Sequence, residues 1–156
     1  MHEIEQLNKI SQRIADATKL SMEYAEVFQV AKYDYGEFYK YHYDFGRKDR
    51  NGYRSLNRVA TVLIYLSNVS KGGATIFPAS KTIIRPEIRS AVFWLNLHEN
   101  GDGDKRSLHA GCPVLEGTKW ISTKWLHEEG QEFLRPCNLV QPPVWKISHV
   151  EEKLNI

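Results

Sequence analysis

The chain has 156 residues, 42% hydrophobic and 12% aromatic, the composition of one globular domain with a packed core rather than of a disordered chain. Its 21 basic and 19 acidic residues leave a formal net charge of +2, too balanced for charge alone to imply nucleic-acid binding. No apolar run reaches the ~18 residues of a membrane-spanning helix.

The opening MHEIEQLNKI lacks the apolar centre of a secretory signal, so a secretory parent would make this chain an internal piece. Residues 2–20 carry Ile4, Leu7, Ile10, Ile14 and Ala17 at three- and four-residue spacing among charged neighbours, which predicts an amphipathic helix. Strand texture follows. EVFQVAKY (26–33) and EFYKYHYDF (37–45) flank the turn-like DYG, and VATVLIYLSNV (59–69) is the β-branched run of a buried strand. GGATIFP, SAVFWLNL, SLHAGCPVLEG and KWISTKWLH complete about seven or eight strands at short spacing. One helix beside a mainly β domain of this kind predicts a sandwich, jelly roll or barrel over about 26–137. GRKDRNGYRSLN (46–57) and HENGDGDKRS (98–107) read as charged loops with freedom to move, and 138–156 as a tail with no assigned structure.

Chemistry is suggested first by YKYHYDFG (39–46). A strand sends residues i and i+2 to one face, so His42 and Asp44 point together. A solvated polar pair or a metal site would each account for this. A metal site needs a third ligand, for which His2, His98, His109, His127 and His149 are candidates that spacing does not separate. Two histidines and one carboxylate can occupy one face of an octahedron, an arrangement that suits Fe(II) and leaves positions open. Cys112 and Cys137 lie in turn-like Cys-Pro and Pro-Cys contexts, compatible with a bridge or with two free thiols. Asn68-Val69-Ser70 is an N-glycosylation sequon.

Three segments carry a resemblance. HAGCPVLEGTKWISTKWLHEEGQEFLRPC (109–137), with FQVAKYDYGEFYKYHYDFGRKD and NRVATVLIYLSNVSKGGATIFP, resembles the catalytic domain of collagen-type prolyl 4-hydroxylase α subunits over about residues 4–137. The order H-x-D, a distant His and a Lys ten residues on is shared with prolyl 4-hydroxylases generally. The CPVL, KW and KWLHE wording is similar to the collagen-type animal enzymes.

The resemblance implies a double-stranded β-helix, or jelly roll, acting as an Fe(II)- and 2-oxoglutarate-dependent dioxygenase that hydroxylates peptidyl proline at C4. It implies His42, Asp44 and His109 as iron ligands, and Lys119, Tyr33 and Thr75 as contacts of 2-oxoglutarate. A lysine is costly to bury without a partner, which gives an anionic ligand at Lys119 a physical rationale. Tyr39, Arg58, Trp125 and His127 match positions lining a peptide groove, suited to a donor-poor polyproline II chain. Trp94 and Trp120 are left to the core, with Tyr41 and Tyr43 as packing. A Cys112–Cys137 disulfide, a usable Asn68 sequon, the endoplasmic-reticulum lumen, ascorbate as reductant and protein disulfide isomerase as a partner of the longer parent are implied in the same way. The segment between the H-x-D strand and NRVAT is shorter than in typical collagen enzymes, which bears on substrate range. The rival readings are a jelly-roll module that binds polyproline II segments without turnover, and a hydroxylase of another peptidyl residue.

Overall fold

The structure, a computed structural model, describes residues 2–46 and 57–138, with side chains described from Glu5 onward. Helix α1 (His2–Thr18) is followed by ten strands among the described residues: β1 (Gln29–Tyr33), β2 (Tyr39–His42), β3 (Arg58–Tyr65), β4 (Lys71–Gly72), β5 (Thr75–Phe77), β6 (Thr82–Ile84), β7 (Ala91–Leu95), β8 (His109–Gly111), β9 (Val114–Glu116) and β10 (Lys119–His127). They form two four-stranded antiparallel sheets, ordered β1-β10-β3-β7 and β2-β8-β5-β6, with β4 and β9 as a small third pair. This is the expected jelly roll.

The count exceeds the expectation because two predicted strands are broken. Gly72 and Gly73 both take positive φ, which separates β4 from β5 within GGATIFP. Gly72 also has no room for a side chain: a Cβ there would strike the Pro113 carbonyl. Cys112-Pro113 separates β8 from β9 in SLHAGCPVLEG. The β6 strand within KTII was not anticipated. The DYG turn is present, with Gly36 at φ 80° and the Glu37 carboxylate accepting from the Asp34 amide at 2.7 Å.

Period-two alternation on β3 divides the interior. Ala60, Val62 and Ile64 join Ile14, Leu20, Leu97 and Leu126 in a core under α1, while Leu63 and Tyr65 face the other way. β3 is buried on both faces because one packs into the core under α1 and the other faces the second cluster and the space between the sheets, so its apolar run is nearly continuous. The helix ends two residues earlier than expected and contributes through Ile10 and Ile14. Ala17 is exposed and Leu7 is 46% exposed, so the apolar stripe is narrower than the sequence suggests.

Three packing expectations are corrected. Trp120 and Tyr41 are 41% and 58% exposed, not core residues, because each sits on the outward side of its strand. Residues 98–107 form an ordered loop: the Asp104 carboxylate caps a 3₁₀ turn (Lys105–Ser107) through the Arg106 amide and pairs with the Arg106 guanidinium. Gly103 there packs so closely on the Phe45 ring that a Cβ would collide with it. Most of 46–57, all of the 139–156 tail, His149 and the side chains of His2 and Ile4 lie outside the description.

Candidate metal centre

β10 builds one wall of a cavity of about 430 Å³ between the two large sheets. Its alternate residues Lys119, Ile121, Thr123 and Trp125 line the cavity, opposite β2 and β8. His42 and His109 are direct register partners across β2 and β8, which sets the two imidazoles side by side with ring centroids 4.2 Å apart. β2 stops at His42 and Asp44 sits in a bend beyond it, so the two share a face although one strand does not carry both.

One ligand atom from each of His42, Asp44 and His109 lies within 4.8 Å of the other two, the arrangement of a site able to hold a metal ion. His42 Nε2 is 3.5 Å from Asp44 Oδ1 and His109 Nε2 is 3.8 Å from Asp44 Oδ2. The Nδ1 atoms meet backbone carbonyls, of Lys40 at 2.7 Å and of Ser107 at 2.8 Å. A carbonyl only accepts, so each Nδ1 carries a proton, which leaves each Nε2 as the ring atom turned toward the carboxylate and able to act as a metal ligand. Two ring nitrogens and a carboxylate thus converge on one point. The donor set therefore fits a divalent metal, and two nitrogens with one oxygen suit iron.

The surroundings hold these groups in place. His109 is 5% exposed, with Phe77 stacked on it at 5.5 Å and the Trp94 ring edge-on at 4.7 Å. Burial lowers the His109 pKa against the opposing charge of Asp44. Burial alone would raise the Asp44 carboxyl, but contact with His42, the charge of His109 and the Thr61 hydroxyl outweigh it and hold the group below the usual carboxylate range. The Trp125 indole adds to that effect but lies outside hydrogen-bonding geometry. Its N–H and that of Trp94 have no partner among the described residues, and both residues line the cavity.

Lys119 lies at the same cavity, 3% exposed, with no carboxylate paired to it among the described residues. Its Nζ is 5.7 Å from the Tyr33 and Tyr65 ring centroids. Tyr33 is its register partner across β1 and β10. Burial lowers the ammonium to about 8, with Cys112 opposing the shift. Thr75, 2% exposed, accepts the Tyr65 hydroxyl at 2.7 Å. Burial pushes the Tyr65 phenol up to about 12, so it remains a donor at every physiological pH. A buried cation beside neutral hydroxyls is a pocket for an anion. Tyr65 was missed in sequence because it ends a run that reads as core.

The residues matched to a peptide groove divide into two groups. Tyr39 stands edge-on to His42 at 4.2 Å, is 52% exposed, and lines the cavity with Arg58 and Trp125. His127 stands behind them: its Nε2 lies 2.9 Å from the Glu26 carboxylate, which also takes a forked pair from Arg58 at 2.6 and 3.0 Å. Glu26, Thr61 and Asn96 carried no distinguishing signal beyond, for Thr61, a hydroxyl inside an apolar strand.

The expected disulfide is not formed; Cys112 and Cys137 are free thiols. The Cys112 amide is tied to the Ala74 carbonyl beside β5. The segment around Cys137 is tied to the end of β7, where Arg135 donates to the Leu97 carbonyl and the Asn138 amide to that of Glu99. The two thiols are thus anchored to separate parts of the domain. Asn68 is exposed, as the sequon requires, and its Oδ1 accepts from the Ile88 amide at 2.8 Å.

Known proteins share this arrangement. Residues 28–127, which contain His42, Asp44, His109, Lys119 and the cavity around them, match the model of the 2OG-Fe(II) oxygenase superfamily. The chain is 51% identical to prolyl 4-hydroxylase subunit alpha-1 of Gallus gallus over 137 residues, covering 85% of this chain and 27% of that protein. It is 47% identical to prolyl 4-hydroxylase subunit alpha-2 of Caenorhabditis elegans, covering 85% and 25%. It therefore spans about a quarter of the length of the curated relatives it matches. The crystal structure of a viral collagen prolyl hydroxylase from Paramecium bursaria Chlorella virus-1, in complex with 2OG, superposes with a TM-score of 0.70 at 30% identity, covering 81% of this chain and 73% of that one. With two imidazoles and a carboxylate converging beside a buried lysine in a jelly roll, and a family match across that whole site, the chain belongs to the 2OG-Fe(II) oxygenase superfamily.

Proposed function

We propose that this domain hydroxylates peptidyl proline at C4 in collagen-like or other proline-rich chains. One oxygen atom of O2 enters the proline and the other enters succinate, as 2-oxoglutarate loses CO2. The observation that carries the reading is the convergence of two imidazoles and a carboxylate on one point of a cavity that also holds a buried ammonium with no carboxylate partner among the described residues.

His42, Asp44 and His109 would hold Fe(II), which when bound supplies the activation of O2 that the protein's own groups lack. Lys119 neutralises the distal carboxylate of 2-oxoglutarate, and the hydroxyls of Tyr33 and Thr75 orient it, with Tyr65 holding Thr75 from behind. The Phe77 and Trp94 rings keep water from His109. Tyr39 and Trp125 offer aromatic faces to the rings of a polyproline II chain, and Arg58 offers N–H donors to carbonyls that such a chain leaves free. His127 acts through Glu26 rather than as a groove wall.

The same reading carries finer expectations: ascorbate as the reductant that rescues uncoupled turnovers, residence in the endoplasmic-reticulum lumen, glycan attachment at Asn68, and protein disulfide isomerase as a partner of a longer chain.

The test is incubation of a (Pro-Pro-Gly)n peptide with the protein, Fe(II), 2-oxoglutarate and O2, read by mass spectrometry. Gain of one oxygen on proline, coupled to succinate and abolished by Asp44→Ala, is the expected result. Peptide binding with no succinate formed would make the domain a polyproline-binding module instead. Hydroxylation confined to lysine-bearing peptides would reassign the substrate.

A further inference from the structure

Asp44 is held from behind by a chain of two fully buried side chains. The Thr61 hydroxyl donates to Asp44 Oδ2 at 2.7 Å, and Asn96 Nδ2 donates to Thr61 Oγ1 at 2.8 Å. Thr61 and Asn96 are both 0% exposed. Thr61 is on the cavity face of β3 and Asn96 lies just past β7. The Asn96 backbone is fixed at both groups: its amide donates to the Val59 carbonyl and its carbonyl accepts from the Asp104 amide, each at 2.8 Å. Its Oδ1 is buried with no partner among the described residues, a defect that costs stability and that an apolar residue would not have.

The direction of the chain follows from what each group can do. A ligand carboxylate only accepts, so the single Thr61 proton goes to Asp44. Thr61 Oγ1 then needs a donor behind it, which fixes Asn96 with its NH2 toward Thr61 and its Oδ1 turned away. The orphaned oxygen is the consequence of that orientation. At the other end, Oδ1 faces His42 Nε2, and Oδ2, which accepts the Thr61 proton, faces His109 Nε2.

We propose that Thr61 and Asn96 are positioning residues that fix the rotation of the Asp44 carboxylate between the two imidazoles. This inference rests on the metal-centre reading above and deepens it. A carboxylate already held in place keeps its lone pairs directed at the point where the two imidazoles converge. The unpaired Asn96 oxygen is then tolerated for the site rather than for the fold.

The test titrates the metal-free protein with Mn(II), reading free Mn(II) by electron paramagnetic resonance at a temperature where every variant is folded, with thermal unfolding of each metal-free variant in parallel. Thr61→Val keeps the shape and removes the proton; Thr61→Ser keeps the proton and removes a buried methyl. Thr61→Val should bind Mn(II) about 10- to 100-fold more weakly, the usual effect of losing a partner behind a metal ligand. Thr61→Ser should bind within about threefold of the unsubstituted protein despite unfolding at a lower temperature. Asn96→Leu should weaken binding on its own but not further in the Thr61→Val background, because its effect passes through Thr61. Affinity that simply tracks thermal stability, unchanged affinity in Thr61→Val, or additive losses in the double variant would overturn the inference. His109→Ala separates the two levels. If the unsubstituted protein binds Mn(II) no more tightly than His109→Ala, the metal-centre reading falls and takes this inference with it. If it binds more tightly while Thr61→Val matches it, only the positioning role falls.

Discussion

The Arg58 guanidinium lies 3.9 Å over the centroid of the Trp125 ring, and Glu26 fixes it there with two hydrogen bonds. Stacking and a fork together leave arginine little freedom, and lysine can reproduce neither. The Arg58 fork holds the Glu26 carboxyl below its usual range, with His127 adding to the effect. Glu26→Gln keeps the shape and loses the charge. It should raise the KM for a (Pro-Pro-Gly)n peptide about three- to tenfold, in proportion to the roughly 1 kcal/mol of a half-exposed charge pair. The KM for 2-oxoglutarate and kcat should stay within about twofold. An equal loss in both KM values would show that Glu26 supports the whole cavity rather than the peptide end.

Lys119 gives 2-oxoglutarate binding a predictable pH dependence. The buried ammonium is lowered from 10.5 to about 8, so the folded protein gives up this proton before the unfolded chain does. Between about pH 8 and 10.5 the unfolded state holds more protons, and the contribution of Lys119 to stability therefore rises with pH across that window. Ligand binding runs the opposite way, because the anion needs the charged form. The Kd for 2-oxoglutarate measured calorimetrically should be flat below about pH 8 and then weaken by up to about tenfold per unit. Lys119→Ala should remove this dependence along with most of the affinity. A flat profile in the unsubstituted protein would refute the charge pairing.

Sequence was most informative through the combination of motifs rather than any one of them. His-x-Asp alone fits a solvated pair as well as a site, and Lys119 alone fits an outward-facing lysine; the resemblance carried by the downstream segment joined them, and His42, Asp44, His109 and Lys119 do line one cavity. Strand alternation on β10 was also readable, since Lys119, Ile121, Thr123 and Trp125 are spaced by two. What escaped depended on contacts between distant elements. Glu26 looks like any surface carboxylate until β10 brings His127 beside it, 101 residues away. Asn96 looks like a turn residue until β3 and β7 pair and set it behind Thr61.

Ile14 tests the packing of the helix independently of the site. It is 2% exposed and is the α1 residue most deeply set against Ala60, Val62, Ile64 and Leu126. Ile14→Ala should cost about 2–5 kcal/mol, from lost transfer energy and the cavity left behind. Urea denaturation should show a lower midpoint with an unchanged slope. Leu7→Ala, at a position 46% exposed, should cost under about 1 kcal/mol. Similar losses for both would contradict the helix orientation.

Metal binding should stabilise the fold because the donor set exists only when the strands are paired. His42 and His109 are brought together by the β2–β8 register, and the carbonyls of Lys40 and Ser107 hold each Nδ1 so that Nε2 faces Asp44. A divalent ion therefore binds the folded state and not the unfolded chain. At a free metal concentration a hundredfold above Kd, stability should increase by about 2.7 kcal/mol by mass action. Thermal unfolding with and without a chelator reads the shift directly. Asp44→Asn keeps the volume and the Thr61 contact but removes the charge that balances the cation, so its unfolding temperature should not respond to metal. A full metal response in that variant would place the ion elsewhere.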